Sequence, residues 1–297
     1  MIADAHFHFE DLEESDRSAL LGQLPGSTMD VFLGLSAGVW PKLTSQALAT
    51  WTDNGRSVET KSTTVVFAGG LHPAYLHRHG SKDDLLGAID LAAEELEMLA
   101  AAKQLAAIGE TGFDRSQGVL AEAQDFGIDR PTLEHAQDYA FQRCADLAIR
   151  HRLPLVIHTR SAWESTVSAL EGVLQRPPPD LRPRVMIHCF PGAAAEAARL
   201  AQLGVYLSFG GVLTWPTARR MREAIVRCPA QRLLLETDAP DLAPVLSNGT
   251  RPTTNAPRFW PTILHAAAAL RGEDPAATEQ LACNNLREFL GMPRRPD

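Results

Sequence analysis

The chain opens with "IADAHFHF", which places His6 and His8 one residue apart behind a short apolar run. In an extended chain, side chains at i and i+2 share a face. Two imidazoles on one face of a strand end can grip a metal ion, or they can form a wet strand edge. Other apolar runs end in the same kind of residue. "VVFAGGLH" closes on His72, "LAAIGE" on Glu110, "LVIH" on His158, "VMIH" on His188 and "LLLETD" on Asp238. Neutral imidazole and carboxylate are the ordinary ligands of zinc and manganese. A glutamate can bridge two such cations, and the charge of a paired centre acidifies bound water. The pattern therefore predicts a site for two divalent metal ions, with hydrolysis as its chemistry.

The elements that must position these residues are legible as an alternation. Eight β-rich runs are expected: 2–6, 31–36, 65–72, 105–110, 155–158, 185–188, 205–211 and 233–238. Most are apolar on successive residues, as in strands buried on both faces. Amphipathic stretches of helical length lie between them, including "PKLTSQALATWTDNG" and "DDLLGAIDLAAEELEMLAAAK", the latter with Asp83 as expected N-cap. Further helices are expected in "TLEHAQDYAFQRCADLAIRHR", "SAWESTVSALEGVLQ", "GAAAEAARLAQLG", "PTARRMREAIVRC", "PRFWPTILHAAAALRG" and "DPAATEQLACNNLREFLG". Eight strands alternating with helices predict an α/β fold, a (β/α)8 TIM barrel, in one domain over residues 1–297. Such a barrel carries active sites at the C-terminal ends of its strands, where these histidines and carboxylates fall. "QRPPPDLRP" is read as a loop, as are the polar stretches "WTDNGRSVETKSTT" and "RSQGVLAEAQDFGIDRP".

Composition narrows the class further. The 297 residues include 36 acids and 28 Lys or Arg, a net charge of -8, which argues against a broad basic grip on nucleic acid. A bound divalent cation would still supply positive potential locally. Cys144, Cys189, Cys228 and Cys283 are scattered without a C-x-x-C pair, as in a reducing compartment. Asp4 and His6 break the first apolar run, so no secretory signal is expected. The longest Ala/Leu-rich stretch carries Asp90, Glu94, Glu95 and Glu97, too many charges for a membrane span. A cytoplasmic protein with no membrane association and no obligate protein partner is expected.

The ordered motifs resemble the TatD-type metal-dependent deoxyribonucleases of the amidohydrolase superfamily. "DAHFH" looks like that family's D-x-H-x-H opening, and "GLHP" (70–73) matches as written. "IGETGFD" (108–114), "LPLVIHTR" (153–160), "HCFPG" (188–192), "YLSFGG" (206–211), "LLLETDAPDLAP" (233–244) and "NNLREFLG" follow in the family's order. The resemblance implies His6 and His8 on one metal, His158 and His188 on a second, and Glu110 bridging them. Asp238 would contact the first metal and act as general base, and His72 would touch the substrate phosphate or leaving group. The implied activity is 3′–5′ hydrolysis of DNA ends with two divalent ions drawn from zinc, manganese, magnesium, nickel or cobalt. Two departures keep an alternative open, a deacylase, amidase or lactonase using the same centre. "RPTTNAP" (251–257) lacks the Arg and Glu usual in this loop while retaining Asn255 and Pro257, and Asp241 stands where an aromatic residue is usual.

Several residues have ordinary readings. "HRH" (77–79) reads as a solvated loop, His135 and His151 as surface residues, and His265 as a helix residue packed inward. Cys189 reads as core, turned away from its neighbour's face. Asp114 is expected to support a loop. Arg160 either clamps a phosphate or pairs with an acid at the rim. Trp215 either stacks on a base or packs over the mouth. Asp4 either orients a ligand imidazole or caps backbone amides.

Overall fold

The computed structural model describes residues 2–20, 32–39, 57–59 and 63–293. Its strands are β1 (Ile2–Phe7), β2 (Phe32–Val39), β3 (Ser57–Glu59), β4 (Thr63–Gly70), β5 (Ala107–Asp114), β6 (Leu155–Arg160), β7 (Val185–Ile187), β8 (Tyr206–Phe209) and β9 (Leu233–Leu235). Its helices are α1 (Glu14–Leu20), α2 (Leu85–Ala101), α3 (Gln117–Asp125), α4 (Arg130–His151), α5 (Trp163–Gln175), α6 (Ala194–Gln202), α7 (Arg219–Arg227), α8 (Trp260–Arg271) and α9 (Pro275–Leu290). The chain divides into two compact units. The first comprises Met1–Ala37, Trp51–Phe67 and Met186–Asp297; the second comprises Gly38–Thr50 and Ala68–Val185.

In the first unit β7, β8 and β9 pair in parallel, with Met186 opposite Tyr206 and Leu207 opposite Leu233. β1 pairs in parallel with β2, Ile2 opposite Phe32. The chain after β9 runs alongside β1: Asp238 N donates to His6 O at 2.9 Å and His8 N to Ala239 O at 2.8 Å. Asp4, fully buried within β1, is the bolt between them. Its carboxylate accepts from Thr237 N at 2.8 Å and from Thr237 Oγ1 at 2.6 Å. A buried carboxylate must be bonded this way to be tolerated. Burial pushes it up to about 7, against the lowering effect of its bonds to Thr237 and His6 N. Of the two readings open for Asp4, capping of backbone amides is the one its bonds describe.

In the second unit the end of β4 pairs in parallel with β5 (Ala68 opposite Ala107), and β5 with β6 from Ile108–Leu155 to Asp114–Arg160. Every residue of β5 is buried, as a strand covered on both faces requires. α4 covers it, with Phe141 packed 5.2 Å from Phe113. The helix starts on Asp129, whose carboxylate accepts from Thr132 N at 2.9 Å, with Pro131 in the first turn. Gln137, buried on α4, donates to Asp114 O at 2.8 Å and to Pro73 O at 3.2 Å. One side chain thereby fixes the end of β5 and the turn that follows His72.

Some boundaries move. The helix expected in "PKLTSQALATWTDNG" lies outside the described residues. β3 forms an antiparallel pair with β4, Ser57 opposite Val66, inside a stretch read as loop. α3 occupies the other stretch read as loop, since Val119 and Ala123 give it a buried face. Asp84, rather than Asp83, precedes α2. The proline cluster holds only a 3-10 turn at Pro179–Leu181.

Candidate metal centre

Each unit gathers donors along or just after its strands; β5 runs four residues past Glu110 and β6 two past His158, beyond the ends expected from sequence. In the first, His6 and His8 stand at the end of β1 and Asp238 three residues beyond β9. His6 Nε2 lies 3.6 Å and His8 Nε2 3.9 Å from Asp238 Oδ1. His188, directly after β7, brings Nδ1 to 3.8 Å from the same oxygen, and its ring stacks on His6 at 4.2 Å. One donor atom each from His6, His8 and Asp238 lie within 4.8 Å of one another, a spacing one cation can span. Asp238 reaches this position with φ +59, a left-handed conformation that aspartate tolerates better than most residues.

Glu236 belongs to the same neighbourhood and was not singled out from sequence. It is completely buried, its Oε1 accepts from Cys189 N at 2.5 Å, and that oxygen lies 3.8 Å from His188 Nδ1. Its i, i+2 spacing to Asp238 is the signal that could have found it. Cys189, with φ +40, is only half-buried, which corrects the core reading. The turn after β7 exposes it, because strand alternation has already ended at Ile187.

In the second unit His72, Glu110 and His158 come together, again with donor atoms within 4.8 Å. Close strand approach makes this possible. A Cβ on Gly70 would meet Glu110 O at 2.3 Å, and one on Gly112 would meet His158 O at 2.1 Å. His158 Nε2 faces Asp114 Oδ2 at 3.2 Å, which leaves Nδ1, 3.5 Å from Glu110 Oε1, as the nitrogen for a metal. Burial alone would push the His158 imidazole down, but its bonds to Asp114 and Glu110 carry it up to about 9. Burial likewise raises Asp114, and the bonds from His158 and Ser116 outweigh this, taking it down to about 2. Asp114 also accepts from Ser116 N at 2.9 Å, the expected loop support.

His72 differs from its neighbours. Its Nδ1 accepts the amide hydrogen of Ala74 at 3.2 Å, so the neutral ring carries its proton on Nε2, 3.6 Å from Glu110 Oε1. A ring in that tautomer donates a hydrogen bond and has no lone pair to give a metal through Nε2. Tyr75 packs 4.9 Å from it, and Arg78 caps Tyr75 at 4.7 Å.

Of the other histidines, His77 corrects the solvated reading: it is fully buried, edge-on to Phe126 at 5.4 Å and 3.4 Å from Glu122 Oε1. His151 sits at a half-buried surface position bonded to Glu97 at 2.6 Å, and His135 is exposed. His265 is exposed rather than packed inward, because Ile263 and Leu264 carry the buried face of α8.

The family described as "TatD related DNase" matches residues 3–291. The chain belongs to this family. A Mycobacterium tuberculosis protein named as an uncharacterized metal-dependent hydrolase TatD is 35% identical over 72% of this chain and 74% of its own. A Pantoea ananatis relative, named 3′-5′ ssDNA/RNA exonuclease TatD, is 34% identical over 67% of this chain and 71% of its own. Among solved structures, the TatD homologue YjjV of Escherichia coli superposes with a TM-score of 0.75 at 26% identity, covering 98% of both chains. The TatD-family chain is thus an α/β protein of the (β/α)8 barrel class and a metal-dependent hydrolase. No described helix is long and apolar enough to cross a membrane.

Proposed function

We propose that this TatD-family hydrolase removes nucleotides from the 3′ end of single-stranded DNA, with residues 1–297 acting as one hydrolase domain. The observation that carries the reading is the donor chemistry: His6, His8 and Asp238 in one unit, and His158 with Glu110 in the other, each within 4.8 Å of its partners. Such sets fit divalent cations. His188 adds a nitrogen beside His6 and Asp238. The bridging role of Glu110 and the count of two ions are taken from the motif pattern. Relatives named as single-stranded DNA or RNA exonucleases support the choice of substrate.

The cations, when bound, supply Lewis acidity and make water a nucleophile near neutral pH. The remaining work falls to the chain. Asp238 accepts the proton of the attacking water at its carboxylate, which lies within 4 Å of three imidazoles. His72 offers Nε2–H to a phosphate oxygen or to the departing oxygen, the role its tautomer favours. Asp114 holds His158 with Nδ1 presented to the ion. Arg160, exposed at the end of β6, lies one pleat beyond His158 on the same side. Thr159 between them bonds outward to Thr166 of α5 at 2.7 Å. Alternation puts Arg160 on the His158 side of the strand, and in this reading its guanidinium contacts a phosphate.

The test is hydrolysis of a 3′-labelled single-stranded oligonucleotide by metal-loaded protein beside Glu110→Ala, with metal content measured for both. Stepwise 3′ shortening that disappears in the variant is expected. Intact oligonucleotide with fully loaded wild type would overturn the nuclease reading. One observation favours a second substrate class: Asp241 is exposed in the turn leaving Asp238, where its charge disfavours an incoming phosphate. A neutral ester, amide or lactone panel run beside the oligonucleotide separates the two.

A further inference from the structure

The loop after β9 is built as a rigid rim in the first unit. It leaves from Asp238 and is tied back at its far end, where Asn255 Nδ2 donates to Thr237 O at 2.6 Å and Asn255 N to Pro240 O at 2.8 Å. Its middle is pinned to the turn after β8. Val245 N donates to Thr214 Oγ1 at 2.7 Å, and Trp215 Nε1 donates to Ala243 O at 2.9 Å. A Cβ on Gly211 would meet Leu242 O at 2.3 Å, so the two loops touch backbone to backbone. Trp215 is half-buried in this clamp, and the exposed Arg251 lies over its ring, Cζ 4.6 Å from the centroid.

Several arginines of the first unit are held by carboxylates, whereas Arg251, like the exposed Arg222 and Arg227, is not. In the same unit Arg219 pairs with Glu223, Arg258 with Asp16 and Arg271 with Glu273. No carboxylate of a described residue lies within 4.0 Å of the Arg251 guanidinium. A guanidinium held over an indole by cation–π attraction has less freedom left to lose, which lowers the entropy cost of binding a phosphate. It also occupies one indole face that a base would otherwise use. The loop rises from the strand ends that carry Asp238 and His188, the side on which substrate must enter.

We infer that Arg251, held over Trp215, binds a phosphodiester group of the incoming strand other than the one cut. The inference rests on the nucleic-acid reading above. This cation adds one localised contact to a chain whose net charge gives no general attraction to DNA.

The test is fluorescence anisotropy of metal-loaded protein with a 5′-fluorescein oligothymidylate of about twelve nucleotides, a length matched to single-strand sites. Its 3′ end is protected by phosphorothioates, and binding is measured across a salt series, with 3′ trimming of the unprotected strand followed alongside. Arg251→Ala is expected to weaken binding and to reduce the slope of log affinity against log salt by about 0.7, the value of one lost phosphate contact on a single strand. Arg251→Lys is expected to restore the slope and part of the affinity. The KM for trimming should rise more than kcat falls. Wild-type slope and KM in Arg251→Ala, or in Arg251→Gln should the alanine variant fold poorly, would overturn the inference while leaving the nuclease reading intact. Failure of the wild type to bind and trim the strand would instead overturn that reading and the inference with it.

Discussion

The Nε2 of His158 lies 3.2 Å from Oδ2 of Asp114, and this contact selects which nitrogen of the imidazole faces Glu110. A carboxylate behind a ligand histidine fixes ring and tautomer, and its loss weakens metal binding by about 10–100-fold. Asp114→Asn is therefore expected to lower the affinity for divalent metal by that order, because the amide can present its NH2 and stabilise the wrong tautomer. Competition against a chromogenic chelator reads the affinity directly. An unchanged value would remove Asp114 from the site.

Asp238 carries a different expectation, because it is offered both as ligand and as base. Asp238→Asn keeps an oxygen near His6, His8 and His188 while losing the basic carboxylate. The kcat for 3′ trimming is expected to fall by about 10²–10⁴-fold, the usual range for a general base, with metal retained by elemental analysis. Turnover near that of wild type would end the assignment.

Gly70 makes room for the second cluster. A methyl group there would meet Glu110 O at 2.3 Å and Gly109 Cα at 2.6 Å, both backbone atoms with no rotamer to change. Gly70→Ala is expected to cost about 1–3 kcal/mol, as overpacking commonly does, and to lower metal content by displacing Glu110. Urea unfolding and elemental analysis check the two effects; a variant indistinguishable from wild type in both would show that β5 can yield.

His77 is one source of acid sensitivity away from the clusters. Burial holds the His77 imidazole below its ordinary 6.5, although Glu122 beside it acts in the opposite direction. Between the folded and the unfolded value the unfolded chain binds the extra proton. This contribution is thus complete above 6.5 and declines as pH falls through that window. Thermal unfolding of His77→Leu, compared with wild type between about pH 7.5 and 5.5, is expected to show a weaker decline on acidification. Equal declines would show that other groups set the acid limit.

Much of this protein is readable in one dimension. Apolar runs of strand length bounded by helical periodicity gave the alternation, since burial on both faces leaves a pattern within each short segment. The donors were equally visible, because His6, His72, Glu110, His158 and His188 close or follow apolar runs, although β5 continues past Glu110 and β6 past His158. The family pattern follows from the same ordered, local motifs. β3 was missed because three residues are too short a run to show alternation, and α3 because its sequence is polar and its burial one-sided.

Tertiary structure decided what local pattern could not. His77 is buried because Phe126 and Glu122, distant in sequence, close over a loop that reads as polar. The tautomers of His72 and His158 depend on Ala74 N and Asp114 Oδ2, whose positions the fold sets. Trp215 holds Arg251 because two loops following different strands are clamped together. The sequence by itself determined which chemical groups stand at strand ends, because strand periodicity is local. Which partner each group meets, and with which atom, was left to the folded chain, since those contacts join residues that only packing brings within bonding distance.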